Sequence, residues 1–129
     1  MPRLLLLLLL PTIAGASSDT KHLIAVRSAL RDPTGALAGW DAANRRSSPC
    51  RLVHGSCANI SAPAAAVAGI DLYSLTLAGA FPTALCSLRS LEHLDLSANL
   101  LEGPLPACVA ALPALRHLNL AGNNFSGHV

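Results

Sequence analysis

The chain has little of what charged or aromatic binding sites are built from. Of its 129 residues, 3% are aromatic and 12% are charged, and the net charge is +2. A nucleic-acid-binding surface needs a basic stripe, and one that binds single strands also needs rings that stack on bases. This composition therefore excludes nucleic acid as an expected partner, and it leaves leucine, alanine and valine to build the core.

Long apolar runs are also scarce, and the one near the start is short. Residues 4–10 are all leucine, they follow Arg3, and small residues around Ala16 come after Pro11. A membrane-spanning helix needs about 20 apolar residues, whereas a basic start, a short apolar segment and an A-x-A site are typical of a secretory signal peptide. We expect cleavage after Ala16, a secreted product, and membrane attachment only through a missing downstream segment.

What the sequence does have is a 24-residue internal repeat. Residues 91–114 match residues 67–90 and 115–129 when the chain is shifted by 24 positions. The repeated columns are Val67, Leu91 and Leu115; Ile70, Leu94 and Leu118; Leu72, Leu96 and Leu120; Leu75, Asn99 and Asn123; Leu77, Leu101 and Phe125; and Gly79, Gly103 and Gly127. A repeat of this length predicts a solenoid, whose leucines become buried only when a neighbouring coil packs on them.

Each repeat is predicted to begin with a short strand. Strands at residues 69–73, 93–97 and 117–121 would lie about 4.8 Å apart in a parallel sheet, with alternate leucines pointing inward. After each strand the chain must turn sharply. The buried side chains of Asn99 and Asn123 are expected to bond backbone groups that the turn leaves unpaired, which is a structural role.

The second half of each repeat is predicted to form the outer side of the coil. Gly79 and Gly103, with Pro82 and Pro106, are expected to shape a turn there. The alanine- and leucine-rich runs that follow are expected to form short helical turns on the convex side.

The N-terminal segment is predicted to cap this solenoid. Asp19 and Thr20 can start a helix whose apolar face holds Leu23, Val26 and Leu30 at positions i, i+3 and i+7. The end coil of a solenoid needs a covering face that water tolerates, and this segment would supply it.

The four cysteines form two candidate pairs. Cys50 and Cys57 are close in sequence, and a secreted chain is oxidised, so we predict a disulfide rather than a metal site, for which His54 is the only nearby nitrogen ligand. Cys86 and Cys108 fall at positions 20 and 18 of adjacent repeats. They would meet on the convex side, but the two-residue offset leaves their pairing open.

Two pairs of polar residues share outward columns of the predicted sheet. His93 lies beside His117, but two imidazoles with no third ligand make a poor metal site, so neither a metal nor a cofactor is expected. Asp71 lies beside Asp95 with the spacing of glycosidase carboxylates, but on an open sheet face. The chain has no G-x-S-x-G, H-E-x-x-H or phosphate-loop motif, and we predict that it is not an enzyme.

Two short motifs predict surface modification. Asn59 and Asn124 each begin an N-x-S acceptor. In a secreted protein such asparagines are candidates for N-linked glycans.

The order of these motifs resembles a known family. A signal peptide and a short helix are followed by Gly39-Trp40-Asp41, Ser48-Pro49-Cys50 and Cys57, and then by repeats with L-x-G-x-[FL]-P at residues 77–82 and 101–106. This order resembles the N-terminal part of plant leucine-rich-repeat receptor-like kinases and receptor-like proteins. The resemblance implies an α/β solenoid: a right-handed superhelix with short parallel strands on its concave face and an N-terminal helical cap closed by a disulfide.

The resemblance also implies a division of the chain. The units are a signal peptide (1–16), a cap (17–66), two repeats (67–90 and 91–114) and a third, truncated repeat (115–129). A full-length relative would carry a Ser/Thr kinase domain, which these units do not include.

The function implied is extracellular recognition in cell-surface signalling at the outer face of the plasma membrane. The partners would be a peptide or protein ligand and a co-receptor ectodomain. The candidate contact residues on the concave face are Asp71, Tyr73, His93, Asp95, Ser97, His117 and Asn119. Two alternatives stay open: a secreted inhibitor of microbial cell-wall-degrading enzymes, which has the same cap and repeats, and a non-functional truncated remnant, since residue 129 falls midway through a repeat.

Overall fold

The computed structural model describes residues 18–40, 55–57 and 66–127. In chain order the elements are helix α1 (Ser18–Ala29) and strands β1 (Gly55–Cys57), β2 (Val67–Asp71), β3 (Ala78–Ala80), β4 (His93–Asp95), β5 (Leu100–Pro104), β6 (His117–Asn119) and β7 (Asn124–Ser126). Two 3₁₀ helices, Thr83–Ser87 and Ala107–Ala111, follow β3 and β5. The predicted signal peptide, Cys50 and Asn59 lie outside the described residues, and Cys57 is described by its backbone alone.

The first sheet has the strand order β1, β2, β4, β6. Strands β2, β4 and β6 are parallel, and Gly69, His93 and His117 stand in one row across them. Paired residues of these three strands are 24 positions apart, so the predicted parallel strands are confirmed. Strand β1 pairs antiparallel with β2 and was not predicted.

The chain turns sharply three residues past the end of each of the three parallel strands. Ser74, Ala98 and Gly122 occupy this position, with φ angles of 55°, 57° and 70°. This left-handed region is strained for residues with a Cβ and open to glycine. The three coils therefore make the same turn, although the residue at the turn differs.

The second sheet has the order β3, β5, β7 and lies where the sequence predicted only turns. Ala78 pairs with Leu100, and Glu102 pairs with Asn124. These partners are 22 residues apart (100 − 78 and 124 − 102), rather than 24. Successive coils are therefore staggered by two residues in the second sheet relative to the first.

A disulfide joins the two 3₁₀ helices. Cys86 of the first is bonded to Cys108 of the second, with Cα atoms 5.9 Å apart. The sequence left this pairing open because the cysteines differ by two positions within their repeats. The stagger of the second sheet removes the difficulty, since it brings residues 22 apart side by side, and 108 − 86 is also 22.

The core is one cluster of aliphatic side chains that α1 closes at its first end. Leu23 and Val26 are fully buried and Leu30 is nearly so, which confirms the predicted apolar face of the helix. Leu37 and Trp40, in the segment after α1, are buried in the same cluster. The helix packs against the first 3₁₀ helix, so it covers the first coil.

Polar contacts fix this cap to the two sheets. The Asp19 carboxyl group, predicted to cap the helix, instead accepts a hydrogen bond from the backbone N–H of Val67 at 2.8 Å, which ties α1 to β2. Arg31 and Ala78 exchange backbone hydrogen bonds of 2.9 and 3.0 Å. This second contact covers the edge of β3, which would otherwise present unpaired backbone groups.

Candidate ligand-binding face

The outward face of the first sheet is the side whose residues alternate with the buried Ile70, Leu72, Leu94 and Leu96. We use "outward face" for the seven residues that the sequence predicted as ligand contacts: Asp71, Tyr73, His93, Asp95, Ser97, His117 and Asn119. The register of β2, β4 and β6 places five of them in two rows, while Tyr73 and Ser97 follow the ends of β2 and β4. Their role in binding stays a prediction, but the structure shows which of their polar groups are already engaged.

The last residues of β2, β4 and β6 form one row of the outward face. Each of its three side chains accepts, through Oδ1, a hydrogen bond from the backbone N–H two residues further along. The pairs are Asp71 with Tyr73 (3.1 Å), Asp95 with Ser97 (2.8 Å) and Asn119 with Ala121 (3.1 Å). This Asx turn is a local structural role that the sequence analysis missed, although an Asp or Asn recurring at the same position in three repeats was a signal for it.

Ser97 lies on this face but is not available to a ligand. Its side chain is 6% exposed, and its hydroxyl donates a 2.5 Å hydrogen bond to Oδ1 of Asp95. The Asp95 carboxyl group therefore serves both the backbone and the hydroxyl of one residue. Ser97 supports the end of β4 rather than presenting a donor outward.

The exposed side chains of the outward face that make no described hydrogen bond are an aromatic ring and two imidazoles. Tyr73 is 59% exposed. His93 and His117 are both exposed, with ring centres 5.8 Å apart and planes inclined by 53°. Just before them along the strands, Arg116 and Glu92 form an exposed ion pair of 3.9 Å, a contact that is worth little in water.

The outward face rests on two asparagine side chains buried beneath the turns. Oδ1 of Asn99 accepts from the N–H groups of Leu75 and Leu77, each at 3.0 Å. Its Nδ2 donates to the carbonyls of Leu72 at 2.8 Å, Leu96 at 2.9 Å and Ser97 at 3.1 Å. One side chain thus satisfies backbone groups of its own coil and of the preceding coil.

Asn123 repeats the arrangement one coil later. Its Oδ1 accepts from the N–H of Leu101 at 2.9 Å, and its Nδ2 donates to the carbonyls of Leu96 at 2.8 Å and Leu120 at 3.2 Å. An apolar side chain has no donor or acceptor to offer to either coil. These bonds hold successive strands in register, and so they position the rows of the outward face.

A cavity of about 560 Å³ opens at the last described coil, away from the outward face. It is lined mainly by apolar side chains, among them Leu105, Leu112, Leu115, Leu118 and Phe125. Leu118 is 42% exposed, whereas Ile70 and Leu94 in the same column are fully buried.

Within residues 18–40, 55–57 and 66–127, no helix is long and apolar enough to cross a membrane. In the same residues, no group of three or more His, Cys, Asp or Glu side chains is placed to hold a metal ion.

Comparison with known proteins agrees with this architecture. Residues 16–57 match the family model described as "Leucine rich repeat N-terminal domain", and residues 70–125 match the model described as "Leucine rich repeat". The receptor-like protein kinase HSL1 of Arabidopsis thaliana is 38% identical over 91 residues, which are 70% of this chain and 9% of HSL1. This chain therefore spans less than a tenth of that relative.

Solved structures of plant receptors are also similar. A chain of the BIR3–SERK2 complex of Arabidopsis thaliana has a TM-score of 0.77 and 35% identity, over 86% of this chain and 59% of its own. The Arabidopsis receptor kinase HAESA, solved with the peptide hormone IDA and the co-receptor SERK1, has a TM-score of 0.74 and 33% identity, over 86% of this chain and 18% of its own. The chain belongs to the leucine-rich-repeat family and carries the N-terminal domain and repeats found in plant receptor-like kinases.

Proposed function

We propose that this chain is the N-terminal part of the extracellular domain of a plant leucine-rich-repeat receptor-like kinase, and that it acts by binding rather than by catalysis. The observation that carries the proposal is the outward face: aligned rows of polar and aromatic side chains on an exposed sheet, held in register by Asn99 and Asn123. A rigid sheet face of this kind offers area and directional contacts to a partner.

The partners follow from the similar structures. HAESA was solved with the peptide hormone IDA and the co-receptor SERK1, and a similar chain belongs to the BIR3–SERK2 complex. We therefore propose a peptide ligand and a co-receptor ectodomain of the SERK type. Because this chain spans 18% of the HAESA chain, it would supply a small part of the interface, and it should bind weakly by itself.

The remaining features of the proposal concern location and architecture. We propose secretion through a signal peptide at residues 1–16, a cap at 17–66, repeats at 67–90, 91–114 and 115–129, and a right-handed superhelix in the longer array. The cap would be closed by a Cys50–Cys57 disulfide. Asn59 and Asn124 would carry glycans on the extracellular side; Asn124 is exposed in β7.

We do not propose catalysis, because the acidic side chains of the outward face already accept structural hydrogen bonds. The carboxyl groups of Asp71 and Asp95 accept backbone hydrogen bonds at the strand ends. They lie on an open sheet rather than in a cleft that could exclude water, which acid–base chemistry on a bound substrate generally requires.

The experiment is a binding assay on the purified chain, with the SERK1 ectodomain as the probe and IDA peptide present or absent. Surface plasmon resonance should show weak, saturable binding of the probe. Tyr73→Ala should weaken binding about tenfold, because exposed tyrosines are frequent binding hot spots. Glu102→Ala is the matched control, since Glu102 is exposed on the second sheet.

Two results would contradict the proposal. One is a complete lack of binding with every probe combination at the highest soluble concentration. The other is an equal loss of binding for Tyr73→Ala and Glu102→Ala, because the contact would then not lie on the outward face.

A further inference from the structure

The two imidazoles of the outward face are placed as a pair. His93 and His117 occupy the same row of adjacent parallel strands, so their side chains leave the sheet in the same direction. Both are exposed, and their ring centres are 5.8 Å apart. In the described part of the chain, the contact between the two rings is the one polar or aromatic interaction that either ring makes.

This separation matches what a shared metal ion requires. Imidazole nitrogens bind Zn²⁺ at about 2.0–2.1 Å, which places each ring centre roughly 3.1 Å from the ion. Two rings on one ion then have centres roughly 4.4 Å apart at a right angle and roughly 6.2 Å apart when opposite. The observed separation of 5.8 Å lies inside this range.

The charges around the pair favour a cation. Asp71 and Asp95 stand in the next row. Asp95 lies two residues beyond His93 on the same strand, roughly 7 Å along it, whereas Asp71 lies on the neighbouring strand and is farther from both imidazoles. Asn119 completes that row without charge. The nearest described basic group, Arg116, is paired with Glu92. Neither Asp side chain has an ion-pair partner in the described part of the chain, so two negative charges lie on the same face as the imidazoles.

We propose that His93 and His117 bind a divalent transition-metal ion that prefers imidazole, with Cu²⁺ bound more tightly than Ni²⁺ or Zn²⁺. In the described chain no third side chain completes the site, so the ion keeps positions for water or for donor groups of a bound partner. The site is open and of modest affinity, unlike a closed structural zinc site. It rests on the geometry of the pair and does not require the proposed receptor function.

The test is isothermal titration calorimetry of the purified chain with CuCl₂ and then NiCl₂ at pH 7.5, in a buffer that does not chelate metals. His54 and His128 lie outside the described residues, so the titrations use a His54→Ala/His128→Ala background. We expect one ion per chain. His93→Ala and His117→Ala should each weaken binding about tenfold or more, because each removes half of a two-point attachment.

His22→Ala is the matched control, since this histidine lies on α1 and belongs to no described pair. It should leave the affinity unchanged. Circular dichroism should show that every variant is folded.

Three results would overturn the proposal. The first is no saturable binding by the parent chain. The second is retention of its affinity, within about twofold, by either His93→Ala or His117→Ala. The third is an equal loss in His22→Ala, which would mean that the ions bind histidines indiscriminately.

Discussion

The second and third coils carry similar residues in different surroundings. Leu94 and Leu118 occupy the same column of the first sheet, yet Leu94 is fully buried and Leu118 is 42% exposed. The second coil has a described coil on each side, and the third has one on a single side. Burial in this fold is therefore set by stacking on neighbours and not by the residue alone.

The asparagines of the two coils show the same difference. Asn99 is 5% exposed and makes five hydrogen bonds to the backbone. Asn123 is half-buried, and its bonds to Leu120 and Ala121 are longer, at 3.2 and 3.4 Å. A polar side chain can be satisfied through water where it is exposed, but it must be satisfied by protein where it is buried. The same substitution is therefore expected to lower the free energy of unfolding by different amounts at Asn99 and Asn123.

The largest effect is expected for Asn99→Ala. It should lower the free energy of unfolding by about 4 kcal/mol, because several buried backbone groups lose their partners at about 1–3 kcal/mol each, with partial relief by water. Asn123→Ala should cost about 1–2 kcal/mol, since its backbone partners are nearer to solvent. Urea denaturation followed by circular dichroism measures both. Equal losses would mean that the two asparagines do not differ in the way that their burial implies.

The first sheet could be predicted from the sequence because its side chains alternate. Ile70 and Leu72, like Leu94 and Leu96, are separated by one residue, and this spacing encodes which face is buried. The helix face of α1 was predictable for the same reason. Where burial follows the spacing of apolar residues, one sequence is sufficient.

The second sheet could not be predicted in this way. Strand β3 reads Ala-Gly-Ala and β5 reads Leu-Leu-Glu-Gly-Pro, and neither segment alternates. These strands form because the backbone of one coil pairs with that of the next, which no side-chain pattern reports. The two-residue stagger was hidden for the same reason, and with it the pairing of Cys86 with Cys108.

The outward face was predicted in position but not in detail. Alternation assigns Asp95 and Ser97 to the face, but it does not reveal that one accepts hydrogen bonds from the other. Such local bonds depend on the turn after the strand, which the sequence analysis did not describe at this level. Fewer side chains are therefore available to a ligand than the number of outward positions suggests.

The second-largest loss of stability is expected in the column of the first sheet that Leu94 and Leu118 share. Leu94→Ala should lower the free energy of unfolding by about 3 kcal/mol, because it leaves a cavity between two coils. Leu118→Ala should cost about 1 kcal/mol, since less apolar surface leaves contact with protein. Thermal and urea unfolding of the two variants measures the difference. A loss for Leu118→Ala as large as that for Leu94→Ala would show that the third coil is covered in solution.

The smallest effect concerns the turn position, where the second coil has Ala98 and the third has Gly122. Gly122→Ala should lower the free energy of unfolding by about 2 kcal/mol, because the left-handed turn strains a residue with a Cβ by about 1–2 kcal/mol. The new Cβ would also lie 3.2 Å from backbone atoms of Ala98, in the corresponding turn of the second coil. Ala98→Gly should change stability by less than about 0.5 kcal/mol, because relief of the strain is offset by the greater freedom of glycine in the unfolded chain. Urea denaturation midpoints of the two variants, measured side by side, test both expectations. If Gly122→Ala were neutral, the close approach of the two turns would not persist in solution, and the third coil would be held less tightly than its hydrogen bonds to the second indicate.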